Sequence, residues 1–577
     1  MNGTIERISR FFIEFPICMF ILETLSFVVG WHVSAGPVLI SFFSLLGYEL
    51  WKGNTNQERW RFCAGVLIIF AISIILMTFF YDTSYDGQWY HSAVIVLLQQ
   101  GWNPFYDPII TPGSEPFGTG TSLWISHYPK GMETIESGIV ALTGNLESGK
   151  ALNLLFVLSL AGYSHAFLNG LLPSVNRWKR IVLVSLFVLN PVVINQIFTH
   201  YIDYACYVFI VIGCILVYDV VVVKNSRSIM TLVLLGFFVP TVKMNIVFWF
   251  MFWILLFFSG VWMYTKLCNW KLLRSMVLAV MLGFIVGGFN PYVTNICLRG
   301  NLLYPLNGSA RELVERNSMP EMMWGKGRIY QANYSLLVNP YSNDAKRHGN
   351  THILSVSKDD IMDSARHDVQ LGGFGIFFFE VLLILLILFL TLKKSIEWYY
   401  AGGGILLLYL SLFFLPSGSL ARYVPFFYLL PLVIIIKSLF EKDLSGGQRI
   451  LVDISMCLMM LNAIISMTGV SAMVVQQKIQ NDYIVKELKD FGEKVYVRSP
   501  SCQLYDKLAK AGVEYTLKKP QGKKLIKIDM VGCDPIIDAP ASIFRLEDQC
   551  LLMKKVSLYQ LKISEYKRGL SRNVNRH

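Results

Sequence analysis

Apolar runs of about 18 residues or more recur along this chain, separated by short polar segments. Each is long enough to cross a bilayer as a helix. The clearest cover residues 63–81, 150–172, 181–199, 204–223, 275–292, 371–392, 399–416, 420–437 and 451–474. The short segments between them carry Lys and Arg: Arg7 and Arg10, then Lys52, Arg59 and Arg61, then Arg177, Lys179 and Arg180. Lys224 and Arg227, Lys266, Lys271 and Arg274, Lys393 and Lys394, and Lys437, Lys442 and Arg449 follow. Short basic loops stay in the cytoplasm. Consecutive cytoplasmic loops must be joined by an even number of crossings, so 11–50 and 228–265 are each predicted to be hairpins. Their turns fall near Gly30 to Pro37 and at Pro240 to Asn245. The count comes to about thirteen helices with the N-terminus inside. Arg7 and Arg10 precede an apolar stretch without a small-residue cleavage site, so it reads as a retained anchor.

Two long segments, 82–149 and 293–370, then face outward. The expected fold is an all-α polytopic membrane protein, residues 1–474, followed by a small extracytoplasmic α/β domain, residues 475–577. Within that tail, 495–498, 513–517 and 524–528 read as strands, and 501–511 as a helix stopped by Gly512. The tail is basic, but long domains translocate largely regardless of charge.

Composition agrees with the pattern. Charged residues make up 16% of the chain and hydrophobic ones 54%; a soluble protein carries about 25% charged. The net charge of +12 sits in loops and tail, so it points to membrane topology and not to nucleic acid. Ten cysteines show no metal-ligand spacing, and Cys502, Cys533 and Cys550 in the tail are free to pair only if it lies outside.

Chemistry concentrates on the outward side. Asp82 and Asp86 lie just beyond the run 63–81, in Asp86-Gly87-Gln88-Trp89-Tyr90-His91. Carboxylates at a bilayer surface are hydrated, paired or functional. His127-Tyr128-Pro129-Lys130-Gly131 and Glu133 follow on the same side. Lys243 stands at the predicted turn of 228–265, and Arg422-Tyr423 at the start of 420–437. A cation at a helix end either snorkels to the surface or holds a phosphate at headgroup depth.

Asp82 through His91, with Gly101-Trp102-Asn103-Pro104-Phe105, resembles the first outer loop of the GT-C fold glycosyltransferases. These membrane enzymes use lipid-phosphate-linked sugars, and include protein mannosyltransferases and aminoarabinose transferases. His127 to Gly131, Gly300-Asn301-Leu302-Leu303-Tyr304-Pro305 and Ala421-Arg422-Tyr423 with Pro425 are similar to later stretches of that superfamily. The matches run from about residue 63 to 435. The resemblance implies Asp86 or Asp82 as catalytic base. It implies Arg422 and Lys243, with Tyr423, for the donor phosphate, and His91, His127, Tyr128, Lys130 and Glu133 for substrate. It implies a polyprenyl-phosphate-linked sugar as donor, a glycan, lipid or protein as acceptor, and no cofactor, with a divalent metal left open.

Three features depart from the usual pattern. About three helices precede the acidic loop, where relatives have one. The acids are four residues apart and both Asp, where many relatives pair Asp with Glu. The WWDYG motif is absent, which argues against protein N-glycosylation. The envelope-glycan context suggests a bacterial inner membrane. A lipid-linked glycan transporter or flippase, and an O-antigen polymerase or ligase, are the competing readings. Transporters place charges at mid-membrane on broken helices of paired halves, and no such internal symmetry is visible here.

Overall fold

In the computed structural model the described residues are 2–53, 55–115, 121–266, 270–341, 356–392, 396–412, 420–441, 443–491, 495–498, 501–516, 526–527 and 536–538. The chain is mostly helical. Helices α1 (Asn2–Val28) and α2 (Ala35–Lys52) form the expected first hairpin, turning at residues 29–34. Helix α3 (Asn56–Phe79) starts on Thr55, whose side chain accepts from the Glu58 amide. That is an N-cap, which satisfies one of the amides left open at a helix start.

The segment 82–149, expected as a loop, is largely helical. It contains α4 (Ser92–Gln99), α5 (Ser122–His127) and α6 (Gly131–Thr143). Helix α6 packs against α1, α2 and α4. Gly138 is what permits this approach, since a Cβ there would lie 3.1 Å from Val38 and 3.2 Å from Met19. No span-length apolar run announces α6, which is short and carries Glu133 and Glu136.

Helix α7 (Ala151–Leu171) spans the central core and packs on α1. The run 181–199 is broken. It forms α8 (Arg177–Val188) and α9 (Pro191–Gln196), because Pro191 has no N–H to continue a ladder and suits a helix start instead. Asn190 accepts from the Val192 amide to cap the new start. Next come α10 (Asp203–Tyr218), α11 (Arg227–Val242) and α12 (Ile246–Thr265), with the turn of the second hairpin at residues 243–245, as expected. Helix α13 (Trp270–Leu282) unwinds through two wide turns before α14 (Thr294–Arg299). The second long segment also holds helices: α15 (Arg311–Ser318), α16 (Arg328–Leu337) and α17 (Lys358–Asp363).

Three shorter membrane-type helices follow: α18 (Phe378–Thr391), α19 (Ile396–Ser411) and α20 (Leu429–Phe440). Helix α21 (Gly446–Phe491) has 46 residues. At 1.5 Å per residue it is roughly 70 Å long, more than twice the hydrocarbon thickness. Its last third is polar, with Gln476, Gln477, Lys478, Gln480, Asn481 and Asp482.

Among the described residues seven helices are long and apolar enough to cross a membrane: Gly3–Val28, Asn56–Phe79, Leu146–Leu171, Asp203–Val223, Ile246–Met263, Trp270–Gly287 and Gly446–Asp490. This fits a membrane protein. It falls short of thirteen because several apolar runs are interrupted by proline, glycine or tight turns and leave helices of 10–17 residues, such as Arg227–Val242 and Phe378–Thr391.

In the tail, β1 (Val495–Arg498) precedes α22 (Cys502–Ala511) and β2 (Tyr515–Thr516), followed by β3 (Ile526–Lys527) and β4 (Ile536–Asp538). The strand order is β2-β1-β4-β3, with β1 and β2 parallel. Gly512 ends α22 at φ +75°, a conformation glycine adopts without steric cost. Cys502 is buried with a free thiol, while Cys533, Cys550 and the Lys393-Lys394 pair lie outside the described residues.

Candidate functional site

The acidic segment begins where α3 stops. Asp82 is fully buried, and both its carboxylate oxygens are committed. Oδ1 accepts from the Ser84 amide and hydroxyl, each at 2.7 Å, and Oδ2 accepts from the His200 amide at 2.7 Å. This is the local turn-forming bond that Asp makes two residues ahead. The amide of Asp82 donates to Glu147 Oε2 at 3.0 Å. Asp82 is therefore not among the residues that line the pocket; it frames the turn that carries Asp86.

A wide helical turn, Gly87–His91, joins that frame to α4. Such π-type turns insert an extra residue and re-aim side chains. Gly87 admits no side chain: a Cβ there would lie 2.0 Å from Asp82 Oδ2 and 2.3 Å from Ser84 Oγ. The backbone of the motif thus rests directly on the Asp82 carboxylate.

Asp86, immediately before this turn, lines a pocket with His91, Tyr128, Asp203, Lys243, Asp368, Arg422 and Tyr423. Tyr85, Tyr90, Trp124 and Tyr201 supply aromatic wall. Arg422 Nη2 donates to Asp86 Oδ2 at 3.0 Å and to the Tyr423 hydroxyl at 3.2 Å. Nη1 lies 3.7 Å from Asp368 Oδ1, beyond hydrogen-bond reach. The guanidinium carbon sits 5.2 Å from the centre of the Tyr201 ring. Tyr423 in turn donates to Ser318 Oγ at 3.1 Å. Lys243 is bonded to Asp203, and its ammonium lies 4.0 Å from the Tyr423 ring centre. Asp203 Oδ2 also accepts from Gln196 at 3.1 Å.

Among the described residues, Arg422 Nε and Nη1 have no hydrogen-bond partner although Arg422 is only 8% exposed. A buried guanidinium nitrogen without an acceptor is costly and calls for a reason. The two paired-donor faces of a guanidinium are Nε with Nη2 and Nη1 with Nη2, so a phosphate or carboxylate gripping Arg422 by either face also engages the nitrogen that holds Asp86.

The remaining expected residues divide into two groups. His91 and Tyr128 line the pocket, and Glu133 stands behind His91, with Oε1 accepting from Nδ1 at 2.5 Å. His127 and Lys130 do not line it. His127 Nδ1 donates to Asn295 at 2.7 Å and its ring meets Tyr304 edge-on at 4.8 Å. Burial holds its pKa below the ordinary histidine value. Lys130 donates to the Tyr128 carbonyl and to Asn290, both at 2.7 Å, and burial pushes its pKa down to about 7. Both therefore tie the 127–131 segment to the 290–304 segment, one layer out from the pocket.

Several pocket residues escaped the sequence reading. Asp203 opens the apolar run 204–223, an acid at a span boundary like those that drew attention to Asp82 and Asp86; that signal was available. Asp368, three residues before the run 371–392, carries the same signal, whereas Tyr201, Ser318 and Gln370 do not. A second buried His–Glu pair lies behind: His200 Nδ1 bonds Glu136 Oε2 at 2.7 Å. Burial works to lower the His200 pKa, but the Glu136 carboxylate outweighs it, so the imidazole is raised above its ordinary value.

No protein-family model and no curated protein matches this sequence. The geometry of the site therefore bears the weight of any functional reading.

Proposed function

We propose that the chain is an integral membrane glycosyltransferase that moves a sugar from a polyprenyl-phosphate donor to a cell-envelope glycan, lipid or protein acceptor. One observation carries the reading: Arg422 lines the pocket with two guanidinium nitrogens that have no hydrogen-bond partner among the described residues, while its third is bonded to the carboxylate of Asp86. A phosphate monoanion gives either of those nitrogens an acceptor. Its arrival also competes for Nη2, loosening Asp86 from Arg422.

The roles follow from this exchange. Asp86, released toward the acceptor hydroxyl, takes its proton as the oxygen attacks C1 of the sugar. The bond from C1 to the phosphate oxygen breaks, and Arg422 and Lys243 stabilise the charge that builds on the leaving phosphate. A single displacement inverts the anomeric centre. Tyr85, Tyr90, Trp124, Tyr128 and Tyr201 offer faces to the sugar ring. His91, held by Glu133, lines the same space. No cofactor enters this scheme.

The finer topology belongs to the same proposal: about thirteen crossings, a cytoplasmic N-terminus, and a tail on the extracytoplasmic side of a bacterial inner membrane. The tail contacts the Asp86 segment, which supports placing both on one side. Clustering of Asp86, Lys243 and Arg422 in one pocket supports a transferase over a transporter, which needs a polar path across the bundle.

The test is direct. Purified protein in nanodiscs is incubated with a panel of polyprenyl-phosphate sugars and envelope-type acceptors. Transfer that depends on Asp86 sustains the reading. Failure of every polyprenyl phosphate to bind, with Arg422 intact, removes it.

A further inference from the structure

Helix α22 belongs to the tail, more than 400 residues from Asp86 in sequence, yet it rests on the acidic motif. Ser501 Oγ donates to Gln88 Oε1 at 2.9 Å, and Gln503 Nε2 donates to the Gly87 carbonyl at 3.4 Å. Both residues are buried. Cys502, between them, packs into an apolar cluster with Phe27, Ala93, Val94 and Trp102. One turn further along, Lys507 lies 3.6 Å from the centre of the Tyr81 ring and 3.9 Å from Glu147 Oε1. Glu147 is the residue that accepts from the Asp82 amide. Helix α21 grips the same stretch, since the Tyr81 hydroxyl donates to Asp482 at 2.5 Å.

The contacts fall on both flanks of Asp86. Lys507 and Asp482 act on residues 81–82, and Ser501 and Gln503 act on residues 87–88. Those last two are the start of the wide turn that re-aims the chain into α4. A turn of this kind departs from the regular i→i−4 ladder and recurs at functional sites. Asp86 must meet an acceptor hydroxyl within about 3 Å, and a misplacement of 1 Å costs on the order of a hundredfold in rate.

We infer that α22 is a positioning element of the pocket: Ser501 and Gln503 hold the Gly87–Gln88 turn and thereby aim Asp86. The inference rests on the transferase reading for its consequence in turnover, but not for its structural content. The tail is then a part of the site contributed from the far end of the chain, and Ser501 and Gln503 are positioning residues that touch no substrate.

The experiment uses the full chain in nanodiscs. It reads amide hydrogen exchange over residues 86–92, binding of a polyprenyl monophosphate, and turnover. Ser501→Ala with Gln503→Ala is expected to speed exchange over 86–92 at least tenfold while α7 and α10 keep wild-type protection. Turnover should fall about tenfold to a hundredfold, with phosphate binding changed less than twofold. Ser501→Thr, which keeps the hydroxyl, should restore both. Ser501 also caps α22 at the Leu504 amide. If the double variant does not fold, Gln503→Ala alone leaves that cap intact and is judged by the same readouts. Unchanged exchange over 86–92 in a folded variant overturns the inference. Faster exchange with no turnover from any donor, wild type included, upholds the brace and removes the transferase reading instead.

Discussion

Two ion clusters sit a membrane helix apart. At one end Arg7 and Arg10 converge on Glu49: Arg7 Nε donates to Oε2 at 2.8 Å and Arg10 Nη2 to Oε1 at 3.2 Å. At the other, beyond α3, Arg422 meets Asp86. Both clusters are largely buried and both pair arginine with a carboxylate. They differ in what is left over. Among the described residues, neither Arg7 nor Arg10 leaves a buried nitrogen without a partner, whereas Arg422 leaves two. The first cluster is closed and ties α1 to α2. The second is open, on a residue that lines a pocket. Satisfaction, more than burial or charge, separates the two clusters, and on the proposed function the open one is where a ligand binds.

The sharpest way to break this contrast is at Asp86. Asp86→Asn keeps shape and a hydrogen bond to Arg422 but cannot accept a proton. Turnover is expected to fall about 10²–10⁴-fold, with polyprenyl-phosphate binding retained in a filter or fluorescence assay. Wild-type turnover in this variant would remove Asp86 from the base role.

At the closed cluster the effect should move to stability. Glu49→Leu strands Arg7 and Arg10, and removing one partner of a buried ion pair costs about 3–5 kcal/mol. Thermal unfolding of the purified protein should drop accordingly, while donor affinity in the folded fraction stays at the wild-type value. A loss of affinity without a loss of stability would mean that the Glu49 cluster serves binding and not the fold.

Returning to the open cluster, Arg422→Ala should weaken polyprenyl-phosphate binding about tenfold or more, and Arg422→Lys less, since an ammonium offers charge without the planar fork. Lys243→Met should weaken it less than Arg422→Ala, because Asp203 already engages Lys243. Equal donor affinity in Arg422→Ala and wild type, measured by titration, would sink the phosphate assignment.

The smallest effect concerns Lys130, whose ammonium is bonded to the Tyr128 carbonyl and to Asn290. Burial holds it to about pH 7 in the fold, against about 10.4 in an unfolded chain. Between those values the unfolded state binds more protons, so this residue's contribution makes stability rise as pH rises from about 7 toward 10. The melting temperature of wild type minus that of Lys130→Met should increase across that window. A flat difference would mean that Lys130 stays charged where it is buried.

The membrane class was legible because span-length apolar runs and basic loops are one-dimensional signals. The two hairpins at 11–50 and 228–265 could be placed for the same reason. Helix α6 was not legible: thirteen residues with two glutamates do not look like a packed helix until Gly138 is set against α1 and α2. In the site, an acid after an apolar run pointed to Asp86, and the same pattern marked Asp82, though the structure gives the two opposite tasks. Asp203 was visible by that rule and was missed. So was Asp368, just before the run 371–392, while Ser318 had no local mark.

What the sequence determined by itself is the solvent each segment prefers, and hence a helical membrane protein with its reactive groups gathered between spans. That preference is a property of side chains taken a window at a time. The tertiary structure decided partnership: which carboxylate is consumed by backbone amides, which arginine keeps nitrogens to spare, and that a helix from the tail rests on Gln88. Hydrogen bonds form over about 3 Å between atoms hundreds of residues apart, and short-range geometry of that kind leaves no periodic trace along a chain.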